Sequence, residues 1–317
     1  MAAAESRWLL SGYSGAGADL LLASLAPDGT LAAGAALRSG ENPSCLCAGA
    51  RPGAFYAGCE LPHGAAVLRL HAGAGGLALL ARYPAPGAGL CHVLHTPAGV
   101  FGCCYGSGDV FLMAGDGRIV WRARPPQARH AHWGALTPDG RAFAWADLGA
   151  DSVFFVPLRA GVPCGRPVQT ALPTGSGPRQ VLFLREGLAA VVLERGNGVA
   201  LLCKGPGGWR AGPASPCTGA QGQNYPGGAC LGPDGTLFVA NRGADTVAAL
   251  RAEGGALRLL GEWPAGGRWP RWTACRGGVV LAACQHSGRV CSYLWQSGRL
   301  RPAGALALEG ASCAVQG

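Results

Sequence analysis

The chain has 317 residues, of which 49% are hydrophobic and 14% charged, with 54 Gly, 23 Pro and a formal net charge of +9. A chain of this length buries enough of its own surface to fold without a disulfide or metal staple, and a composition poor in charge and rich in turn formers excludes long charged helices in favour of short strands. The positive charge is not gathered into a stripe, arm or recognition helix, since Lys204 is the only lysine and the arginines are scattered, so no nucleic-acid partner is expected.

The chain opens MAAAESRWLLSGYSG, with no basic segment leading into a long apolar run, and no stretch of about 18 apolar residues free of turn formers follows. A protein with neither leader nor membrane span is expected, located in the cytoplasm. Of the 14 cysteines, Cys45, Cys47, Cys103, Cys104, Cys203, Cys275 and Cys284 lie inside apolar, strand-like runs, and neither a CxxC nor a Cys/His zinc spacing occurs. They are read as buried free thiols, with no metal and no cofactor.

In chain order, RWLLSGY, DLLLASL and LAAGAALR within residues 1–40 read as three strands. A unit then recurs: 52–67 is PGAFYAGCELPHGAAV, 97–110 PAGVFGCCYGSGDV, 138–153 PDGRAFAWADLGADSV, 185–199 REGLAAVVLERGNGV, 233–247 PDGTLFVANRGADTV and 276–290 RGGVVLAACQHSGRV. Each unit reads as an apolar strand A, a Gly-containing turn, strand B, a loop, strand C and a weaker strand D. Six units fill residues 43–308, and SCAVQG at the end supplies one more strand. One strand plus three completes a seventh blade and leaves no open sheet edge, so the fold class is all-β, a seven-bladed β-propeller spanning 1–317 as one domain.

In such a blade the A–B turn lies at one end of the ring, while the entry to strand A and the exit from strand B face each other around the opposite mouth of the channel. The mouth is the natural ligand site. Entries carry Ser44, His92, His130, His132, Arg179, Gly227, Gly228 and Arg271; exits carry Glu60, Tyr105, Asp147, Glu194, Asn241, Arg242 and Gln285.

These stretches resemble the seven-bladed propeller lactonases, which include propeller-type 6-phosphogluconolactonases and carboxymuconate cyclase. The matching segments, ENPSCL, GLCHV, HAHWGALTPDG with ADLGADSV, GSGPRQVLF with VLERGNGV, PDGTLFVANRGADTV, and GGRWPRW with SCAV, run through nearly the whole chain in order. The resemblance implies a hydrolase of a small anionic lactone such as 6-phosphoglucono-δ-lactone, with His132, Arg179 and Glu194 catalytic, one of Arg242 or Arg271 joining them to bind substrate, and Asp147 and His92 as substrate-binding neighbours; Glu60, Tyr105 and Gln285 are read as pocket lining, and a monomer is expected. It departs from the family at Trp133, where Ser is usual, at Trp272, where an acid is common, and at Gly228 and Cys230, where an acid and a His are typical. Plain structural roles remain open beside the chemical ones: Glu194 paired with Arg195 or Arg179, Asp147 capping its own turn, His132 hydrogen-bonded at a strand end. A non-catalytic propeller that binds a metabolite or peptide at the same mouth is the alternative reading, and a carboxylate-lactonising enzyme a third.

Overall fold

The structure is a computed structural model that describes residues 5–317; residues 1–4, which entered the reading of the N-terminus, lie outside it. Among the described residues the apolar runs form antiparallel strands in seven sheets, with one short 3-10 turn at Gln285–Ser287 and no α-helix. We number the blades I to VI from Pro43 onward. Blade VII is built from both chain ends in the order Ala311–Gln316, Ser6–Gly12, Leu20–Leu25, Leu31–Leu37. The C-terminal strand is innermost, and its register sets Leu9 against Val315 and Leu10 against Ala314. This is the closed seven-bladed propeller that the strand count implies.

From blade I to VI, strand A is Pro43–Ala48, Leu90–Thr96, Ala131–Leu136, Pro178–Arg185, Tyr225–Leu231 and Pro270–Arg276. The matching B strands are Ala54–Leu61, Gly99–Cys104, Ala142–Asp147, Leu188–Leu193, Leu237–Arg242 and Val279–Cys284. Blade III departs from the plan in that its outer edge is split into Val162–Pro163 and Val168–Ala171, both paired with Ser152–Arg159.

The core consists of the seams between blades. Ala144, Val153 and Phe155 of blade III pack on Val181, Val191 and Leu202 of blade IV. Val192 and Leu201 of blade IV then pack on Val239 and Leu250 of blade V. Blade VII closes the ring on both sides, with Trp8 and Leu10 against Leu281 of blade VI and Leu9 against Phe55 and Leu68 of blade I. Each fully buried Leu, Val or Phe contributes about 1.5–3 kcal/mol, so a ring of such seams fixes the blade angles and holds the mouth rigid. Cys59 and Cys313 lie in one of these seams as apolar residues, and all 14 cysteines are free thiols.

Candidate active site at the channel mouth

Every strand A begins with an irregularity. In blade III, Ala131 pairs with Asp147 and Trp133 with Ala146, which leaves His132 out of the ladder. The same skip leaves out Ser44, Cys91, Arg179, Gly227 with Gly228, Arg271 and Ser312 in the other blades. A bulged residue has no cross-strand partner and its side chain is re-aimed. Here the re-aimed residues stand at the mouth, and three of them are His132, Arg179 and Arg271.

A second ring comes from the residue at the exit of strand B. The N–H groups of Tyr13, Glu60, Tyr105, Leu148, Glu194 and Gln285 each donate to the carbonyl at the entry of the same blade, and Arg242 pairs with Tyr225 at that level. Glu194 reaches its place through the short turn of Glu186 and Gly187, which sets Arg185 opposite Leu188.

The two rings meet in one polar cluster. Arg179 donates through Nη1 to Glu194 Oε2 and to His132 Nε2, both at 2.7 Å. Arg242 Nη2 lies 2.7 Å from the same carboxylate oxygen, while its Nε donates to the Tyr225 carbonyl at 2.9 Å and its guanidinium stands 5.6 Å above the Trp269 ring. On the other side, Glu60 Oε2 accepts from Tyr13 Oη at 2.5 Å and from Arg271 Nη2 at 3.3 Å. Tyr105 meets the edge of His132 with centroids 5.8 Å apart. Arg179, Arg242, Arg271, Glu194 and Glu60 thus leave one positive charge in surplus at the mouth.

Burial works against the Glu194 carboxylate, but Arg179 and Arg242 overcome it and hold its pKa at about 2. The same burial, with the like charge of Arg179, pulls Arg242 down to about 9. Arg242 is therefore still a cation at neutral pH, and the member of the pair whose charge changes in acid is Glu194. Burial, followed by Arg179 and Arg271, drives His132 well below the ordinary histidine value, so its ring is neutral. With Nε2 accepting from Arg179, Nδ1 carries the proton, and this buried N–H has no partner. Ser44 Oγ and Gln285 Oε1, also in the two rings, are buried and unpartnered as well.

Two of the expected residues lie one position off the rings, Asp147 within the ladder and His92 one residue deeper, in the floor. Asp147 lies inside the ladder opposite Ala131, fully buried, and its Oδ1 accepts the N–H groups of His130 at 3.0 Å, Gly149 at 3.1 Å and Ala150 at 2.9 Å. It caps the turn, and Leu148 takes the exit position. In blade V the same place in the register belongs to Asn241, bonded to the Cys217 carbonyl at 2.8 Å, while Arg242 takes the exit. His92 follows the bulged Cys91 and lies deeper; its Nδ1 accepts from Gly134 N at 3.2 Å, and burial lowers its pKa to about 3. Burial does not make Glu194 more basic, since the two arginines outweigh desolvation, and the neutral His132 does not exchange protons near neutral pH.

His92 is part of a floor. Its ring lies 4.0 Å from Trp133, and Trp133 lies 4.9 Å from Trp272. Those indoles come from blades III and VI, which are not neighbours, so they meet across the channel one residue below the mouth. Blade V has glycines there for a steric reason: a Cβ on Gly227 would stand 2.8 Å from the Arg271 carbonyl oxygen, and one on Gly228 3.0 Å from Trp272 Cα. Tyr13 is the site residue that sequence reasoning missed. The signal was available, because the closure of blade VII makes SGYSG the exit of its strand B.

The family model of the seven-bladed β-propeller lactonases matches residues 7–316. No curated protein matches the chain by sequence. Among solved structures, a Bacteroides uniformis protein provisionally named 6-phosphogluconolactonase superposes with a TM-score of 0.87 at 23% identity, over 98% of this chain and 99% of that one. A Bacteroides fragilis protein of the same provisional name gives 0.87 at 22%, over 98% of each chain. The periplasmic gluconolactonase of Pseudomonas aeruginosa gives 0.85 at 22%, over 98% or more of each chain, being 99% of this one and 98% of that one. At these identities the likeness to the solved structures is one of fold.

Proposed function

We propose, from the premise that this chain belongs to the family of seven-bladed β-propeller lactonases, that it hydrolyses a sugar lactone with an anionic substituent, 6-phosphoglucono-δ-lactone or a close relative. The observation that carries this reading is the convergence of three arginines with three unpartnered buried polar atoms, His132 Nδ1, Ser44 Oγ and Gln285 Oε1, in one mouth. A buried donor without a partner is costly, and a ligand oxygen would satisfy it.

In this reading Arg179 and Arg242 receive the anionic group or the ester carbonyl, where charge develops as water adds. A neutral His132 offers its Nδ1–H to a substrate oxygen. Glu194 is the base: an anion that competes for Arg179 and Arg242 loosens their hold on the carboxylate and raises its basicity toward a useful value. Arg271, held by Glu60 and Tyr13, and Tyr105 line the opposite wall, and the indole floor offers an apolar face to the sugar ring. Free thiols buried in the seams support a reducing compartment.

The test is hydrolysis of 6-phosphoglucono-δ-lactone above its spontaneous rate, with and without chelator. Acceleration that chelator leaves unchanged is expected. A rate equal to the spontaneous one would turn the reading to a non-catalytic propeller that binds an anionic metabolite at the same mouth. The low basicity of the free Glu194 is the observation that favours this second reading.

A further inference from the structure

The mouth divides into two arcs of unlike chemistry. On blades III to V, Arg179 and Arg242 share the Glu194 carboxylate, so that arc carries the surplus positive charge. On blades VI, VII and I the charges cancel. Arg271 Nη2 donates to Glu60 Oε2 at 3.3 Å, Tyr13 Oη donates to the same oxygen at 2.5 Å, and the Arg271 guanidinium lies 5.2 Å from the centre of the Tyr13 ring. Tyr13 is itself held in place, its N–H donating to the Gly310 carbonyl at 3.0 Å. Its neighbour Ser14 exchanges hydrogen bonds with Asn42, Ser14 N to Oδ1 at 2.9 Å and Asn42 N to Oγ at 2.8 Å. The second arc is therefore tied together across its blades before any ligand arrives.

This arc keeps both donors and acceptors free. Among the described residues nothing donates to Glu60 Oε1, and Nε and Nη1 of Arg271 have no protein acceptor. Ser44, at the entry of blade I, is 3% exposed, and its Oγ has no partner. Gln285, at the exit of blade VI, has a buried Oε1 that also lacks one, while its backbone N–H is engaged by the Trp269 carbonyl at 3.0 Å. The two orphan atoms thus come from the blades that supply Glu60 and Arg271. A phosphate or carboxylate only accepts; it could satisfy Arg271 and Ser44, but it has no hydrogen for Glu60 or Gln285, and the Glu60 charge repels it. A hydroxyl is neutral, and it both donates and accepts.

We propose that the arc of blades VI, VII and I reads the ring hydroxyls of the lactone, and that Ser44, Glu60, Arg271 and Gln285 set specificity for a polyhydroxylated anionic lactone over one with a bare carbon skeleton. Neighbouring hydroxyls donate to Glu60 Oε1 and Gln285 Oε1 and accept from Arg271 and from the Ser44 hydroxyl. The anionic substituent and the ester carbonyl belong to the arc of blades III to V. A molecule without hydroxyls leaves the two buried oxygens unpaired, and a site built to bond a hydroxyl rejects its absence far more strongly than an apolar wall could. The inference rests on the reading of the mouth as the lactone site.

The experiment titrates the native protein calorimetrically with 6-phosphogluconate and, in parallel, with 6-phosphonohexanoate, which has a charged group at each end of a chain of similar length and no hydroxyls. Wild type should bind 6-phosphogluconate at least about tenfold more tightly. Ser44→Ala and Gln285→Met should each lower that ratio several-fold, through weaker binding of 6-phosphogluconate. Binding of 6-phosphonohexanoate should stay intact in both, which also shows that the mouth is folded. Ser44→Ala removes an oxygen that has no partner, so its melting temperature should not fall. Equal wild-type affinities, no binding of either compound, or a ratio unchanged in both variants would overturn the proposal. Neither compound is a lactone, so nothing here depends on turnover. A protein that adds nothing to spontaneous hydrolysis can still show the hydroxyl preference, and an active lactonase can lack it; the two readings fail separately.

Discussion

Arg179→Ala is the most informative single change at the mouth, because one guanidinium nitrogen serves both Glu194 and His132 at 2.7 Å and the side chain is 7% exposed. Breaking a buried pair ordinarily costs about 3–5 kcal/mol by stranding a charge. Here Glu194 keeps Arg242 at 2.7 Å, so the loss should fall below that range and the variant should fold. What disappears is a charge-assisted contact to an anionic lactone, which contributes about 1.5–3 kcal/mol. At about 1.4 kcal/mol per factor of ten, kcat/KM should fall about 10- to 150-fold. A contact made equally to substrate and transition state raises KM and leaves kcat within a few-fold. The assay is initial rate against lactone concentration, with the spontaneous rate subtracted and the variant's melting checked in parallel. A folded variant with unchanged KM and kcat would refute the role of Arg179. A fall in kcat alone would move the contact from binding to the transition state.

Glu194→Gln keeps the shape and removes the base, so turnover should drop, and because it leaves Arg179 and Arg242 without their carboxylate it should also cost up to about 3 kcal/mol of stability at neutral pH; equal turnover would remove Glu194 from the chemistry. The same pair of proteins tests the linkage. A folded-state pKa lowered from 4.5 to about 2 gives stability that is present above the unfolded value and lost as pH falls from 4.5 toward 2, at most about 3 kcal/mol. Urea unfolding should show any advantage of wild type over Glu194→Gln shrinking across that window, and an advantage that holds its size down to pH 2 would contradict the ion-pair assignment. Asp147→Ala strands several turn N–H groups and should cost about 1–3 kcal/mol in urea unfolding with KM unchanged; a raised KM at full stability would return Asp147 to the mouth. Thiol titration of the denatured, unreduced protein should find all 14 cysteines, and a shortfall of two or more would reveal a disulfide.

The fold was legible because its signals are local and repeated. Turn triplets such as PDG and REG punctuate apolar runs, and the leftover strands at the two ends have only each other as partners. The site was legible to within one residue and no better. Strand alternation is a period of two, and a one-residue slip turns a side chain from one face to the other. The sequence copies ADLGADSV and ANRGADTV align Asp147 with Asn241, and the register keeps that alignment: both serve the turn, and the exit residue is the next one, Leu148 or Arg242. Placing Asp147 and Arg242 together at the strand exits put two different register positions into one ring.

The bulge at each strand entry explains why the ring residues differ so much from blade to blade. A residue outside the ladder can carry any side chain without disturbing the blade, so the ring positions hold Ser44, Cys91, His132, Arg179, Gly227 with Gly228, Arg271 and Ser312 in blades that are otherwise alike. Positions within the ladder are constrained by both neighbouring strands and by the seam. The exception is blade V, where the backbone at Arg271 and Trp272 approaches so closely that only glycine fits. The gap in the polar ring there is a consequence of the Trp272 strand lying close, and the Trp272 indole in turn closes the channel on Trp133. Loss of polarity in blade V and the tryptophan floor are therefore one structural event, which sets the arginines of blades IV, V and VI above the contact of Trp133 with Trp272.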